Sequence, residues 1–502
     1  MEKEENIKHG QVWKICLHIV IASFVFYYTV GVFNPCTENV AASLNWGSRT
    51  SLYVTIFSSL VSLGTLIGAS CVGYFLDHYG RRTTMMWNDI LYIVGTIILV
   101  MPSTTTFGIG RFLTGLTTGF SATLVPIYIA ETTPEDMSHK VGPLILISHN
   151  LGLMSAFGFG LALPTENFNT NPFNYWWIFM FLFPAALCLY QLIYFKYFCI
   201  FDTPLFYMGK NDIENAKKAL EMTYTEVGME VGMKRLQSEY EGKTTEGVKI
   251  SLVYFICKKR FRKMVRVGCI LCVLEQFSGI SPIIFYSTII FGKMGGGIFL
   301  SRLLTFIMGL GNMISALISI PLLKFIGRKR LLVIGHFILA IDLLILGIFS
   351  GHVQVGVLVP AIFLILFMFL FSLALGATLW IYIGEVLNDQ ILSFSLLLNS
   401  ITDVVLAFLF QIVGDAIGIN NVFLFFAFIM LIGTVYSQYD LIETKGKQKE
   451  QILIEMKVIE KRENTDNTIK NDNSADDRFY KSTEQDRDDS VEYNRNSVLT
   501  VI

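Results

Sequence analysis

Apolar residues in this chain come in long, nearly uncharged runs broken by short polar turns. A bilayer offers no water to unpaired backbone groups, so a spanning segment is a helix of about 20 apolar residues. Runs of that kind cover 14–33, 52–76, 85–101, 107–130, 142–163 and 175–199, then 265–291, 298–323, 331–350, 356–384, 392–416 and 421–439. The pattern predicts an all-α membrane protein of about 12 transmembrane helices, arranged as six plus six. It divides the chain into a cytosolic N-terminus at 1–13, a six-helix bundle at 14–199, a linker at 200–263, a second bundle at 264–440 and a tail at 441–502. Within the linker, Asn211 as N-cap with Glu214 three residues on predicts a short amphipathic helix. The tail, with runs such as KRENTDNTIKNDNSADD, is too poor in apolar residues to build a core and is expected to be disordered.

Composition strengthens this picture. Of 502 residues 53% are hydrophobic and 16% charged, where a soluble domain carries about 25% charged residues in its solvated skin. A net charge of −1 with no continuous basic face gives no support for a nucleic-acid partner. Most of the eight cysteines fall inside apolar runs, Cys36 alone being assigned to an outside loop, so no disulfide framework is implied. His18, His149 and His336 are isolated in or beside spans, with no metal, phosphate-loop or nucleophile motif around them. No enzyme and no cofactor is expected. Lys and Arg set the orientation: Arg81, Arg82, Lys140, 258–263, Lys324 and 328–330 share one side, while the other side's loops hold little beyond Arg49, Lys293 and Arg302. The positive side stays inside, so both termini are expected in the cytosol.

The halves also echo each other. GYFLDHYGRRTT at 73–84 returns as IPLLKFIGRKRLLV at 320–333, and PIYIAETTPED at 126–136 returns as LWIYIGEVLND at 379–389. Both repeats are offset by about 250 residues, which indicates an internal duplication and two pseudo-symmetric halves facing a central cavity.

Several motifs in order resemble the sugar porter family of the major facilitator superfamily, over roughly residues 15–446. They are DHYGRR, GRFLTGLTTG with PIYIAETTP, FDTPLFYMGK, EQFSGISPIIFYST, IGRKR, WIYIGE and ETKG. The resemblance implies a facilitative hexose carrier of the plasma membrane working by alternating access, with a small sugar as ligand and the lipid bilayer as surroundings. A sugar is a ring of hydroxyls with an apolar face, so its pocket needs groups that donate and accept beside aromatic walls. Polar residues deep in spans are costly and therefore candidates. Gln276, Glu275, Ser281, Asn312 and Asp403 are such groups, with Tyr286, Phe285 and Trp380 as walls. Gln276, Asn312 and Trp380 match the family's positions. Gly115 and Gly119 form a GxxxG expected to bring two helices close. Asp77, Arg81, Arg82, Arg111, Glu131, Arg328 and Glu385 are expected to form ion pairs that tie helix ends together when the inner side is shut and part when it opens. The same charges also satisfy the topology rule alone.

The chain departs from the family at Leu146, Glu275 and Ser281, which stand for two glutamines and an asparagine, and at Ser138 and Leu392, where arginines are expected. Where proton-linked porters carry an acid in the first span, this chain has Thr29. Uniport is therefore expected, with a proton-coupled symporter using Glu275 or Asp403 as one alternative. The other is a non-transporting sugar sensor signalling through its tail.

Overall fold

The computed structural model describes residues 6–458 apart from 167, 169, 170, 246–253, 256, 257 and 352–355. The larger part of the tail, 459–502, lies outside the described residues. The chain begins with α1 (His9–Gly31), α2 (Phe33–Ser43), α3 (Thr50–Tyr79), α4 (Arg81–Leu99), α5 (Thr104–Thr132), α6 (Glu135–Val141), α7 (Pro143–Gly160) and α8 (Trp176–Tyr197). The linker holds α9 (Pro204–Gly209), α10 (Ile213–Glu221) and α11 (Met229–Thr245). A second set follows: α12 (Arg262–Gln276), α13 (Ile280–Lys293), α14 (Ile298–Phe325), α15 (Arg328–Ser350), α16 (Leu358–Leu370), α17 (Ala377–Val386), α18 (Asp389–Ile417), α19 (Ile419–Asp440) and α20 (Lys449–Glu455). Among the described residues 11 helical segments are long and apolar enough to cross a membrane. The remaining predicted span is α4, whose 19 residues include Arg81, Arg82 and Asp89.

Small residues set the closest approaches. A Cβ on Gly115 would lie 2.5 Å from the carbonyl oxygen of Val61, and one on Gly119 would lie 2.6 Å from the nitrogen of Ala69. Thus α3 and α5 cross backbone to backbone, as the GxxxG predicts. In the second half the predicted span at 265–291 is two helices. Phe277, Ser278 and Gly279 separate α12 from α13, and Gly279 takes φ +90°, a left-handed conformation in which a side chain would also strike the Phe426 ring. A π-helical turn at Phe371–Gly376 joins α16 to α17. Such turns recur at functional sites.

The apolar cores define the arrangement of the halves. One cluster draws on both, from Tyr28, Phe33, Phe57, Phe107 and Phe157 on one side to Ile283, Tyr286, Leu304 and Met308 on the other. Toward the end that carries the Gly-Arg turns, here the basic end, it gives way to two separate clusters. One contains only residues between Ile7 and Leu236, the other only residues between Phe255 and Val458. The halves are joined at the far end and parted at the basic end.

Four sequence expectations change. The N-cap of α10 is Asp212, whose carboxylate accepts from the backbone N–H of Asn215 at 3.1 Å. Asn211 instead adopts φ +59°, a turn conformation that Asn tolerates better than most residues. The beginning of the tail is folded: α20 and the residue that caps it pack Ile452, Leu453 and Met456 into the second half's core, because that short stretch has an apolar face the later tail lacks. Cys36 is in no loop; helix continues past the first span as α2, where the thiol is buried. Arg302 is no loop cation either, but sits inside α14 with 1% exposure.

Candidate functional site

The break between α12 and α13 concentrates polar groups. Glu275, on the penultimate residue of α12, lies about 20 Å along the helix from Arg262, which is mid-depth in a bilayer. Its Oε2 accepts hydrogen bonds from Asn399 Nδ2 at 2.6 Å and Gln276 Nε2 at 3.3 Å. Gln276 Nε2 also donates to Asn399 Oδ1 at 3.1 Å, and its Oε1 accepts from Ser281 Oγ at 2.8 Å. Asn399 completes the ring by donating to the carbonyl of Cys272 at 2.9 Å. Broken helices make such a site possible, because the interruption within the span brings polar side chains to mid-depth while the flanking turns still satisfy the backbone.

Asp403, one helical turn beyond Asn399 on α18, stands near Ser281 and near Ser62 of the first half. Its Oδ1 is buried without a hydrogen-bond partner among the described residues. Tyr27 on α1 lies within electrostatic reach of both Glu275 and Asp403, and its ring stacks on His149 at 4.5 Å. Two carboxyls, two amides, a hydroxyl and two polar aromatic rings from both halves thus converge where the bundles meet. The set both donates and accepts, as a polyhydroxylated ligand requires.

Sequence reasoning missed Asn399, Tyr27 and the stacking of His149. The polar-in-span criterion names Asp403 and passes over an asparagine one turn away. Four candidates, Glu275, Gln276, Ser281 and Asp403, fall in the cluster. Tyr286 does not present itself as a wall: it is fully buried, its hydroxyl donates to the carbonyl of Ala407 at 2.7 Å, and its ring stacks on Phe410. Asn312 is bonded across the halves to Asn150, donating at 2.5 Å. Trp380 is 41% exposed on α17.

The charged candidates divide more sharply. Arg81 Nη2 pairs with Glu131 Oε1 at 2.7 Å, and Arg328 Nη2 pairs with Glu385 Oε1 at 3.0 Å. These are the duplicated positions, and each pair lies within one half. Both are formed in this structure, in which the cores at the basic end are separate, and each ties helix ends together inside its own bundle. The first is embedded in a network: Thr203 Oγ1 donates to Glu131 Oε2 at 2.7 Å, and Asp202 accepts the backbone N–H of Arg81, Arg82 and Thr203 at 2.9, 2.9 and 2.8 Å. Burial pushes the Asp202 carboxyl up, and those N–H donors offset part of the rise. Arg82 donates to the carbonyls of Phe195 and Cys199. Asp77 is exposed and makes no ion pair among the described residues. Arg111 is misassigned by the sequence: it lies about 30 Å from Glu131 along α5. There it is fully buried, donating to the carbonyls of Thr29 and Phe57 beneath the rings of Phe33 and Phe181.

A bundle of this topology, with discontinuous helices opposite a mid-depth polar cluster, is that of a membrane transporter. Residues 15–455 match the model of the sugar (and other) transporter family, and the chain belongs to that family. It is 26% identical to the glucose transporter GlcP of Staphylococcus epidermidis over 445 residues, which is 87% of this chain and 95% of that one. It is 25% identical to the plastidic glucose transporter 4 of Arabidopsis thaliana, covering 90% of this chain and 81% of the other. Among solved structures, an inward open conformation of the xylose transporter XylE from E. coli superposes with a TM-score of 0.72 at 18% identity, covering 88% of this chain and 99% of that chain. The fold is therefore the major facilitator fold expected from the sequence.

Proposed function

We propose that this protein carries a monosaccharide, a hexose such as glucose, across the plasma membrane by alternating access and as a uniporter. The observation that carries the reading is the pairing of one shared apolar core at the far end with two separate cores at the basic end, around a neutral and acidic hydrogen-bonding cluster at mid-depth. With the basic end in the cytosol, as the positive-inside rule directs, this is an inward-facing state. The cluster of Gln276, Asn399, Ser281, Glu275, Asp403 and Tyr27 exchanges its internal hydrogen bonds for sugar hydroxyls, and Trp380 covers the ligand. Relatives named for glucose, D-xylose and trehalose support the substrate class, as does a related structure bound to 6-bromo-6-deoxy-D-glucose.

Thr29 supports uniport. It stands where proton-linked members carry an acid, its hydroxyl is spent on Val25 and Tyr92, and Arg111 nearby donates to the carbonyls of Thr29 and Phe57 beneath aromatic rings, with no carboxylate among its partners in the described residues. Proton symport is favoured by a different observation, the unpartnered Oδ1 of Asp403 beside Glu275. Uptake of labelled hexoses, pentoses and polyols into proteoliposomes, with and without an imposed pH gradient, separates the two. A uniporter accumulates nothing against its gradient at either pH setting, whereas gradient-driven accumulation that Asp403→Asn or Glu275→Gln abolishes establishes symport.

A further inference from the structure

We infer that Arg302 is the latch of the far-end gate: a positioning residue whose guanidinium, rooted in the second half, closes the transport path by binding backbone carbonyls and the Asn39 side chain of the first half. The inference rests on the two-state carrier reading but not on the identity of the substrate.

Arg302 sits in the second turn of α14 with 1% exposure, among the largest fully buried side chains of the molecule. Its donors reach across the junction to the other half. Nε donates to the carbonyl of Pro35 at 2.9 Å, Nη1 to the carbonyls of Leu163 and Pro164 at 3.0 and 3.1 Å, and Nη2 to Asn39 Oδ1 at 2.5 Å. The acceptors are held ready. Asn39, itself fully buried, donates its own amide to Asn174 Oδ1 at 2.8 Å, which fixes its oxygen toward the guanidinium. Asn34, also on α2, serves the same junction: it donates to the carbonyl of Ile284 and to Ser287 Oγ, and accepts the N–H of Thr288.

Arg111 is buried as deeply but bonds only within its own half, so it reports on folding and not on the junction. Arg302 differs because each of its four bonds must part for the far end to open. Once open, water replaces the carbonyls around the guanidinium, and the carbonyls are hydrated in turn. Between the two states the guanidinium has left its carbonyls before water replaces them, with the exposed Glu38 carboxylate of α2 as its neighbouring counter-charge, and this is the costly arrangement. A latch of this kind makes opening all-or-none and biases the resting protein toward the inward-facing state, because a fork of fixed donors matched to four acceptors is satisfied only when the halves are in register.

The test is hydrogen–deuterium exchange on the full chain in lipid nanodiscs with no sugar present, comparing wild type with Arg302→Gln and with Asn39→Ala. The expected result for Arg302→Gln is exchange accelerated at least about tenfold at 34–44, 161–164 and 298–305, the loss of one or more charge-assisted bonds from the closed state. Exchange slows at the same time at the basic end, over 133–142 and 386–392. Asn39→Ala, which removes the acceptor of Nη2 together with the amide's own bonds to Asn174 and Pro164, gives the same pattern with a smaller amplitude and, because it keeps the arginine, serves if the arginine variant does not fold. The reciprocal slowing is the decisive part: a merely structural arginine loosens the far end and leaves the basic end unchanged. That outcome, or no change at either end, overturns the proposal. Reciprocal exchange in a protein that moves no sugar sinks the substrate reading and leaves the latch standing.

Discussion

Replacing Gln276 by alanine separates a ligand-binding side chain from one that merely glues helices. Its amide holds three hydrogen bonds, of 2.8, 3.1 and 3.3 Å, to Ser281, Asn399 and Glu275. A bound monosaccharide would take over an amide donor and the acceptor oxygen from these partners. Each such bond is worth about 0.5–1.5 kcal/mol net, so losing two costs about 1–3 kcal/mol of substrate binding. That corresponds to about 5- to 150-fold in affinity. Initial rates of labelled glucose uptake into proteoliposomes are therefore expected to show KM raised by that factor with kcat changed far less. If Gln276 is only glue, three bonds at about 0.6 kcal/mol each lower the unfolding midpoint by some 2 kcal/mol of stability and leave KM alone. A KM within twofold of wild type, accompanied by a lowered midpoint, refutes its role in the site.

Other perturbations test the framework. Asp202→Asn leaves one acceptor for three backbone N–H groups and turns an amide donor against one of them, so about 2 kcal/mol of stability is lost; thermal unfolding in detergent reads it. Gly119→Val drives a side chain into the backbone of α3 near Ala69, costing about 1–3 kcal/mol or more; reduced monodisperse yield on size exclusion is the expected sign. A chain ending at 446 loses the buried Ile452, Leu453 and Met456 and with them about 3 kcal/mol or more of packing in the second half; its unfolding midpoint falls below that of a chain ending at 458.

What could be read from the sequence is what a one-dimensional pattern carries. Runs of apolar residues place the spans, since lipid tolerates no other backbone arrangement, and the duplicated Gly-Arg and Tyr-x-x-Glu segments meet in space as Arg81–Glu131 and Arg328–Glu385. Spacing does not reveal which residue faces which neighbour, or at what depth. Charge and nearness to a motif place Arg111 with the gate, yet it binds carbonyls about 30 Å along α5 from Glu131. Asn399 carried no signal beyond being polar in a span, and its place in the site depends on α18 lying against the break after Gln276. Tyr286 matches a motif but spends its hydroxyl on Ala407. Arg302, read as an ordinary loop cation, owes its burial to the second half docking on the first, which no pattern within either half encodes.

Counterflow tests the central claim most directly: purified protein is reconstituted into liposomes loaded with unlabelled hexose, and trace labelled hexose is supplied outside. A carrier that alternates around the Gln276–Asn399 cluster gives a transient overshoot of internal label, large in wild type and diminished in Gln276→Ala at limiting sugar. Saturable sugar binding with no overshoot would identify a sensor, and the absence of both for every monosaccharide tried would contradict transport of this substrate class.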